Sequence, residues 1–396
     1  MAEALSWSNM PGVPRLTSGF FDRHPRIINL LSGDYREPAT RSAVRDRRLS
    51  ASRLEGLGKT IRETYEDLEI PPAVERNLDA LDQPDTLAVV TGQQPGLFGG
   101  PLHIYYKAVS AILLARRLEV ESPGAVVPVF WIESSDADLS EVSRIGFPPQ
   151  GDHPSRAIYT PRGVVVGRSI HHHILNGEVA RVLRQVTGWM EGLPRADYYA
   201  DLLKRTFSPG RPMVDAFRAL LTALLGDLGL VMVDPMHCAI RERSHTFWSR
   251  CLERPERMNK AFAVASREIA ALRLPLQIGL REDTLPIFLV DERGMRRRIQ
   301  GRPGAWRFTG RDETFTENGL IELQRKSELR FSPATLLLPV YRDWLLPTWV
   351  YVGGSAEIAA FTQIGRCYDQ LRVPRSLVAP RVSVTLIEPP VRRLLN

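Results

Sequence analysis

Three short stretches of this 396-residue chain gather residue types that can do chemistry. The first, Thr91-Gly92-Gln93-Gln94-Pro95-Gly96-Leu97-Phe98-Gly99-Gly100-Pro101-Leu102-His103, is glycine-rich and runs into a helical pattern. Its glycines let a ligand approach the backbone, and the free N–H groups and positive dipole end of a following helix attract an anion. The spacing matches neither a P-loop nor a GxGxxG fingerprint. A phosphate cradle and a plain strand-to-helix turn both stay open, with the amides of Gln93 and Gln94 weighing toward a ligand. Lys107, in the second turn of that helix, either faces a phosphate or stands on an exposed helix face. The second stretch is Ser134-Ser135-Asp136-Ala137-Asp138. Carboxylates at i and i+2 after a strand hold an amine or a magnesium ion, serve as a base, or cap the next helix. In the third, Tyr351-Val352-Gly353-Gly354-Ser355-Ala356-Glu357, the glutamate either contacts a ribose or an amine or complements a helix dipole.

Two further groups carry weaker signals. His171, His172 and His173 are adjacent, so their side chains point in different directions, and no carboxylate motif completes a metal site; they read as a surface loop and no protein-held metal is expected. His237 and Cys238 follow a strand without the third partner that a Cys-His nucleophile needs.

The elements that must position these groups follow from apolar periodicity and breakers. Leu87 to Val90 is a short buried-strand run that stops at Thr91 and Gly92. Pro101 marks a helix start, and Ile104, Ala108, Ala111, Ile112, Ala115 and Leu118 recur at helical spacing. Val126 to Ile132 is a second buried strand, which completes a βαβ unit with a parallel pairing and a right-handed crossover. Another helical stripe, Val214 to Leu228, leads through Gly229 into a strand at Leu230 to Val233. Residues 1 to about 60 read as an irregular wrap with short helices. Between about 275 and 335 the texture changes to short β pieces separated by glycine turns, and the sheet pattern resumes at Trp349 to Val352 before a helix. The expected fold is α/β, a Rossmann-like doubly wound parallel sheet with an inserted β-rich subdomain. Residues 1–240 would hold the wrap and the first part of the core, 241–335 the connective insertion, and 336–396 the end of the core. In such a sheet ligands bind beyond the carboxyl ends of the strands, where all three stretches fall.

Composition sets the outer limits. With 43% hydrophobic and 24% charged residues the chain can bury a large core, which excludes a disordered or fibrous polypeptide. Its three cysteines, Cys238, Cys251 and Cys367, lie far apart, so neither a disulfide scaffold nor a cysteine-built zinc site is expected and a reducing cytoplasm fits. No run approaches the length of a membrane helix. The net charge of +7 suits an anionic partner, but the arginines are spread along the chain apart from Arg296, Arg297 and Arg298. That run follows Gly294 in a hairpin and reads as a solvated face, so nucleic acid is not an expected partner.

The motifs TGQQ-x-GLF-x-GPL-x-x-x-YK, VPVFWI with a following D-x-D, LxFSP, LLPT, VGG-x-x-E and PR-x-S-x-TLIE occur here in one order from about Phe20 to Glu388. The chain thereby resembles the BshC family, the cysteine-adding enzymes of bacillithiol biosynthesis. The resemblance implies a nucleotide-binding core like that of class I aminoacyl-tRNA synthetases, a connective insertion and a C-terminal coiled coil. It also implies an amide-forming ligase that uses ATP, with or without Mg2+, to join cysteine to glucosaminyl-malate. On the matching positions it makes Asp136, Asp138 and Lys107 catalytic. Nucleotide binding falls to Thr91, Gly92, Gln93, Gln94, Gly100, Pro101, Gly353, Gly354, Glu357, Arg381 and Ser383. Departures stand beside this. The family's E-D-H-D reads Ser135-Asp136-Ala137-Asp138 here, its G-G-P-G-E reads Gly353-Gly354-Ser355-Ala356-Glu357, and the arginine of its L-L-R-P reads Leu338. The chain stops just after Leu386-Ile387-Glu388, where the coiled coil would begin, so dimerisation through that element is not expected. A relative that keeps nucleotide or thiol-precursor binding without catalysis is the alternative expectation, and RNA binding, suggested by the positive charge and the synthetase-like architecture and requiring basic residues clustered on one face, is a weaker third.

Overall fold

A computed structural model describes residues 12–395 other than 52–53, 66–67, 148–154, 164, 280, 326–329, 386 and 388. Leu386 and Glu388, the end of the last motif, thus lie outside the described residues. Five strands form a parallel sheet: β1 (Leu87–Gln93), β2 (Val126–Ile132), β5 (Val231–Val233), β11 (Thr348–Gly353) and β12 (Leu377–Pro380). Their spatial order is β12-β11-β1-β2-β5. Taken as the first to fifth core strands, this is the order 5-4-1-2-3, the doubly wound arrangement, and its switch point lies between β1 and β11.

These strands are apolar and β-branched because both faces are covered. The alternation of the pleat assigns the sides: Leu87 and Val89 pack with Val350, Val352, Leu377 and Ala111 on one face. Ala88 and Val90 join the larger cluster on the other. Helix His103–Leu118 covers the first face, and its predicted stripe of Ile104, Ala108, Ala111, Ile112, Ala115 and Leu118 is buried throughout. β1 continues three residues beyond the expected stop. Gly92 and Gln93 stay in register with Trp131 and Ile132, while the Thr91 hydroxyl donates to the Val352 carbonyl at 2.8 Å. Extended backbone pairing therefore overrides the polar and glycine breakers.

Two insertions interrupt the core. Between β2 and β5 lie the hairpin of β3 (Arg144–Phe147) and β4 (Ser155–Ile158) and the helices Glu178–Trp189, Ala196–Thr206 and Met213–Leu225. Between β5 and β11 come helices His245–Glu253 and Glu256–Ala271, then an antiparallel sheet of β6 (Thr284–Val290), β7 (Arg296–Arg302), β8 (Ala305–Phe308), β9 (Thr314–Phe315) and β10 (Arg330–Pro333). Among the described residues no helix is long and apolar enough to cross a membrane.

The glycine loop between β1 and its helix is held by packing from below. Gly100 has φ +68° and ψ −163°, a conformation closed to side chains, and a Cβ there would lie 2.6 Å from Ile104 Cδ1. Gly100→Ala should therefore cost about 1–3 kcal/mol of stability in urea unfolding. A variant with an unchanged midpoint would show that the loop conformation is not enforced.

Candidate functional site

A cleft of about 580 Å3 opens at the carboxyl edge of the sheet over the switch point, lined by residues that follow β1, β2, β11 and β12. Its volume is in the range of small-molecule and cofactor sites. Lys107 stands at its base with a 5% exposed side chain. The ammonium lies 2.6 Å from Glu357 Oε2 and donates at 2.8 Å to the Gly92 carbonyl and at 2.8 Å to Gln93 Oε1. The pair joins the helix after β1 to the turn after β11. Glu357 is fixed in turn: the Gly354 N–H donates to its Oε2 at 2.8 Å, and the Tyr351 hydroxyl donates to its Oε1. Burial, and then the neighbouring Glu357 charge, push the Tyr351 phenol well above its usual range, so it remains a donor.

The two acids of the second stretch part company. Asp136 lines the cleft; its carboxylate accepts from the Gln94 amide and from the Ala137 N–H at 2.7 Å, with Arg296 Nη1 3.5 Å away. Asp138 is exposed and accepts from the Ser140 N–H at 3.0 Å, capping the short helix Leu139–Val142. The hydroxyl and N–H bonds of Ser140 hold Asp138 below the usual carboxylate range. Gly92, Gln93, Gln94, Gly354, Glu357 and Arg381 also line the cleft, whereas Thr91, Gly100, Pro101, Gly353 and Ser383 do not. Thr91 is turned into the sheet, and Ser383 accepts from Arg381 Nη1 at 3.0 Å outside it.

Three charged side chains reach the cleft that the sequence reading did not place there. Glu133 is the first residue after β2, so the rule that sites lie beyond strand ends would have found it. It is partly buried and accepts no hydrogen bond among the described residues. Desolvation raises its carboxyl from about 4.5 to about 8, opposed by the Arg342 charge and reinforced by Asp136 and Glu357. Arg342 is buried, with its guanidinium 3.6 Å from the centre of the Tyr351 ring, its Nε 3.6 Å from Asp343 Oδ1, and neither Nε nor Nη2 in a hydrogen bond among the described residues. Leu338 and Arg342, one turn apart on helix Leu338–Leu345, both line the cleft, so the arginine missing at 338 has a counterpart on the same helix face. Arg296 corrects the reading of the arginine run as a solvated face. It comes from β7, stacks 3.9 Å from the Phe288 ring centre, and donates to the Pro333 carbonyl at 2.8 Å. No one-dimensional signal separated it from Arg297 and Arg298.

The histidine run is a short 3-10 turn rather than a free surface loop. His171 Nδ1 lies 3.0 Å from Asp234 Oδ2, and the Ser134 hydroxyl donates to the other Asp234 oxygen. Burial alone would raise the Asp234 carboxyl, but His171, Arg218 and Ser134 outweigh it and hold the group below the carboxylate range. The ends of β2 and β5 are thereby tied together beside the cleft.

The matching family, described as "Bacillithiol biosynthesis BshC, N-terminal Rossmann-like domain", covers residues 10–382. The chain belongs to this family. Relatives named "Putative cysteine ligase BshC" include one from Desulforamulus reducens, 28% identical over 348 residues, which are 88% of this chain and 64% of that protein. The Salinibacter ruber protein is 28% identical over 374 residues, 93% of this chain and 67% of the relative. The Heliobacterium modesticaldum protein is 32% identical over 321 residues, 80% and 58% respectively. The chain thus spans roughly three fifths to two thirds of the length of these BshC relatives.

The raised Glu133 carboxyl carries a testable linkage. An unfolded glutamate loses its proton near pH 4.5 and the folded one near 8, so its contribution to stability is complete below the lower value and is lost as pH rises through the upper one. Glu133→Gln, which stays neutral, should gain in melting temperature relative to the parent between pH 5 and 8.5. Parallel profiles would place the Glu133 carboxyl at its ordinary value.

Proposed function

We propose that this BshC-family chain is a ligase that adds cysteine to the amino group of glucosaminyl-malate, using ATP to activate the cysteine carboxyl. The observation that carries the reading is the cleft at the switch point, where Lys107 and Glu357 brace a cation-rich wall next to two further carboxyl groups. Family membership and the names of the relatives support it. The residues suit a nucleotide. Arg381 and His103 face the mouth beside the glycine loop, where phosphates would be balanced, and His103 is depressed by burial and by the charges of Lys107 and Arg381, as fits a site already rich in cations. When bound, ATP supplies the leaving group that makes the carboxyl carbon an electrophile.

The chain's own groups then have separable tasks. Asp136, presented by Ala137 and Gln94, accepts hydrogen bonds from the N–H groups of the incoming sugar amine in its neutral form, leaving the nitrogen lone pair free to attack. Glu133, whose carboxyl changes protonation near pH 8, takes the proton that the amine must lose as its nitrogen bonds to the carboxyl carbon. The Arg342 guanidinium, charged despite its burial, faces the negative charge that develops on the acyl oxygen. Lys107 positions Glu357, Gln93 and the Gly92 carbonyl.

Incubation with ATP, cysteine and glucosaminyl-malate should yield the amide, with AMP and pyrophosphate or ADP and phosphate as the second product pair. Asp136→Asn should lower turnover about tenfold to a hundredfold, the equivalent of about 1.5–3 kcal/mol for a charge-assisted contact. Asp138→Asn should leave turnover within about twofold, because an amide still caps the helix. Equal losses in the two variants would remove Asp136 from the reaction. Titration calorimetry should show adenine nucleotide binding that Lys107→Ala weakens. Nucleotide binding without amide formation would favour a relative that binds but does not catalyse.

A further inference from the structure

The amino-terminal edge of the sheet, opposite the cleft, concentrates positive charge. A depression of about 500 Å3 there is lined by Arg250, Arg254, Arg257 and Arg372. Arg250 and Arg372 also line a second depression of about 230 Å3, floored by Leu346 and Pro347 just before β11 and by Val373 and Pro374 just before β12. Those last two residues continue into a third, of about 360 Å3, which adds Arg47 and Arg375. In the other direction Arg257 is shared with a fourth, of about 550 Å3, which adds Lys260 and Arg366. The four form one continuous furrow along helices His245–Glu253, Glu256–Ala271 and Gly365–Leu371.

Pairing in the furrow is uneven. Arg375 binds Asp369 at 2.6 Å and Arg366 binds Glu268 at 2.6 Å. Arg47, Arg250, Arg254, Arg257, Lys260 and Arg372 are exposed, and among the described residues none has a carboxylate within 4.0 Å. Elsewhere arginines of this chain find acids, as Arg62 does with Glu75 and Asp79 and Arg41 with Glu121. Six cations without an ion-pair partner stand in this furrow against one exposed lining acid that is likewise without one among the described residues, Glu253, so the furrow is net positive.

We infer that this furrow binds the phosphodiester backbone of a single-stranded nucleic acid, independently of the cleft. A small anion would neutralise one or two of the six cations, whereas a linear polyanion with regularly spaced charges meets them all. Arginine forks match phosphate oxygens in two-point contacts, and five of the six are arginines. The furrow is concave, and Val264 is the one exposed large apolar side chain among its described lining residues, which suits a threaded strand and not the flat surface of a membrane. Trp344 is the sole aromatic lining it among the described residues, so contact with the backbone outweighs base stacking and binding is independent of sequence.

Fluorescence anisotropy with a labelled RNA of about 20 nucleotides tests this, read from roughly 50 to 300 mM salt. Six phosphate contacts predict a slope of log affinity against log salt of about −4. In the variant Arg250→Gln, Arg254→Gln, Arg257→Gln the slope should fall to about −2 and affinity should drop at least about tenfold. Should that variant melt early, the single changes Arg250→Gln and Arg257→Gln should each lower the slope by about 0.7. Saturating ADP should leave RNA affinity unchanged. Absence of binding at micromolar protein in low salt, unaltered binding by the variants, or competition by ADP would each overturn the assignment. Tighter binding to phosphatidylglycerol vesicles than to RNA, with the same sensitivity to these variants, would overturn it in favour of a lipid surface.

Discussion

The ion pair between Lys107 and Glu357 is the contact on which the cleft depends. It lies where the order of the parallel sheet reverses, so the segments that follow β1 and β11 diverge and leave a crevice between them. A lysine buried alone there would be costly, and so would a glutamate. Each removes the other's penalty, and the remaining donors of Lys107 go to Gly92 and Gln93 while those around Glu357 come from Gly354 and Tyr351. The pair thus locks the glycine loop, the helix after β1 and the turn after β11 into one rigid arrangement. Loss of either partner leaves an unpaired charge inside, a change far larger than the net worth of the pair.

That rigidity sets the electrostatics of everything above it. Because Lys107 and Glu357 neutralise each other, the charges free to meet a ligand are supplied from other elements: Arg342 from the helix before β11, Arg296 from the inserted sheet and Arg381 from the end of β12. Glu133 sits among them without a hydrogen-bond donor, and its desolvation exceeds the help from Arg342, which is why its proton is held to about pH 8. Asp136, three residues further along the chain, has N–H partners and an arginine within 3.5 Å. Two carboxyl groups three residues apart are therefore given opposite electrostatic surroundings.

Much of the frame was legible in the sequence because it rests on local periodicity. β2 runs over the same residues that its apolar run marked, and the stripe of helix His103–Leu118 is buried as spaced. The family motifs placed Gln93, Gln94, Lys107, Asp136 and Glu357 near one another although they lie far apart in the chain. What stayed hidden depends on three-dimensional context. Asp136 and Asp138 look equivalent in sequence, and only the start of helix Leu139–Val142 turns one of them into a cap. Arg296 cannot be told from its two neighbours until the pleat of β7 and the placement of the inserted sheet aim it at Asp136. The strand β1 outlasts its polar residues because Thr91 satisfies its hydroxyl on Val352, a contact made across 261 positions of sequence.

The insertion completes the cleft in a way that a bare doubly wound core does not. β6 and β10 pair so that Phe288 faces Arg296 and the carbonyl of Pro333 accepts from it, and both contacts orient the guanidinium before any ligand arrives. With one nitrogen on a carbonyl and the ring below, Arg296 presents Nη1 to Asp136, while its Nε is buried and makes no hydrogen bond among the described residues. An arginine fixed in this manner loses little side-chain freedom on binding, so its contact to an anionic group is worth more than that of a mobile surface arginine. The core therefore provides the floor through residues at strand ends, and the inserted sheet provides a preorganised wall. A change in how that sheet packs would alter Arg296 first, and with it the charge balance around Asp136, while leaving the Lys107–Glu357 pair in place.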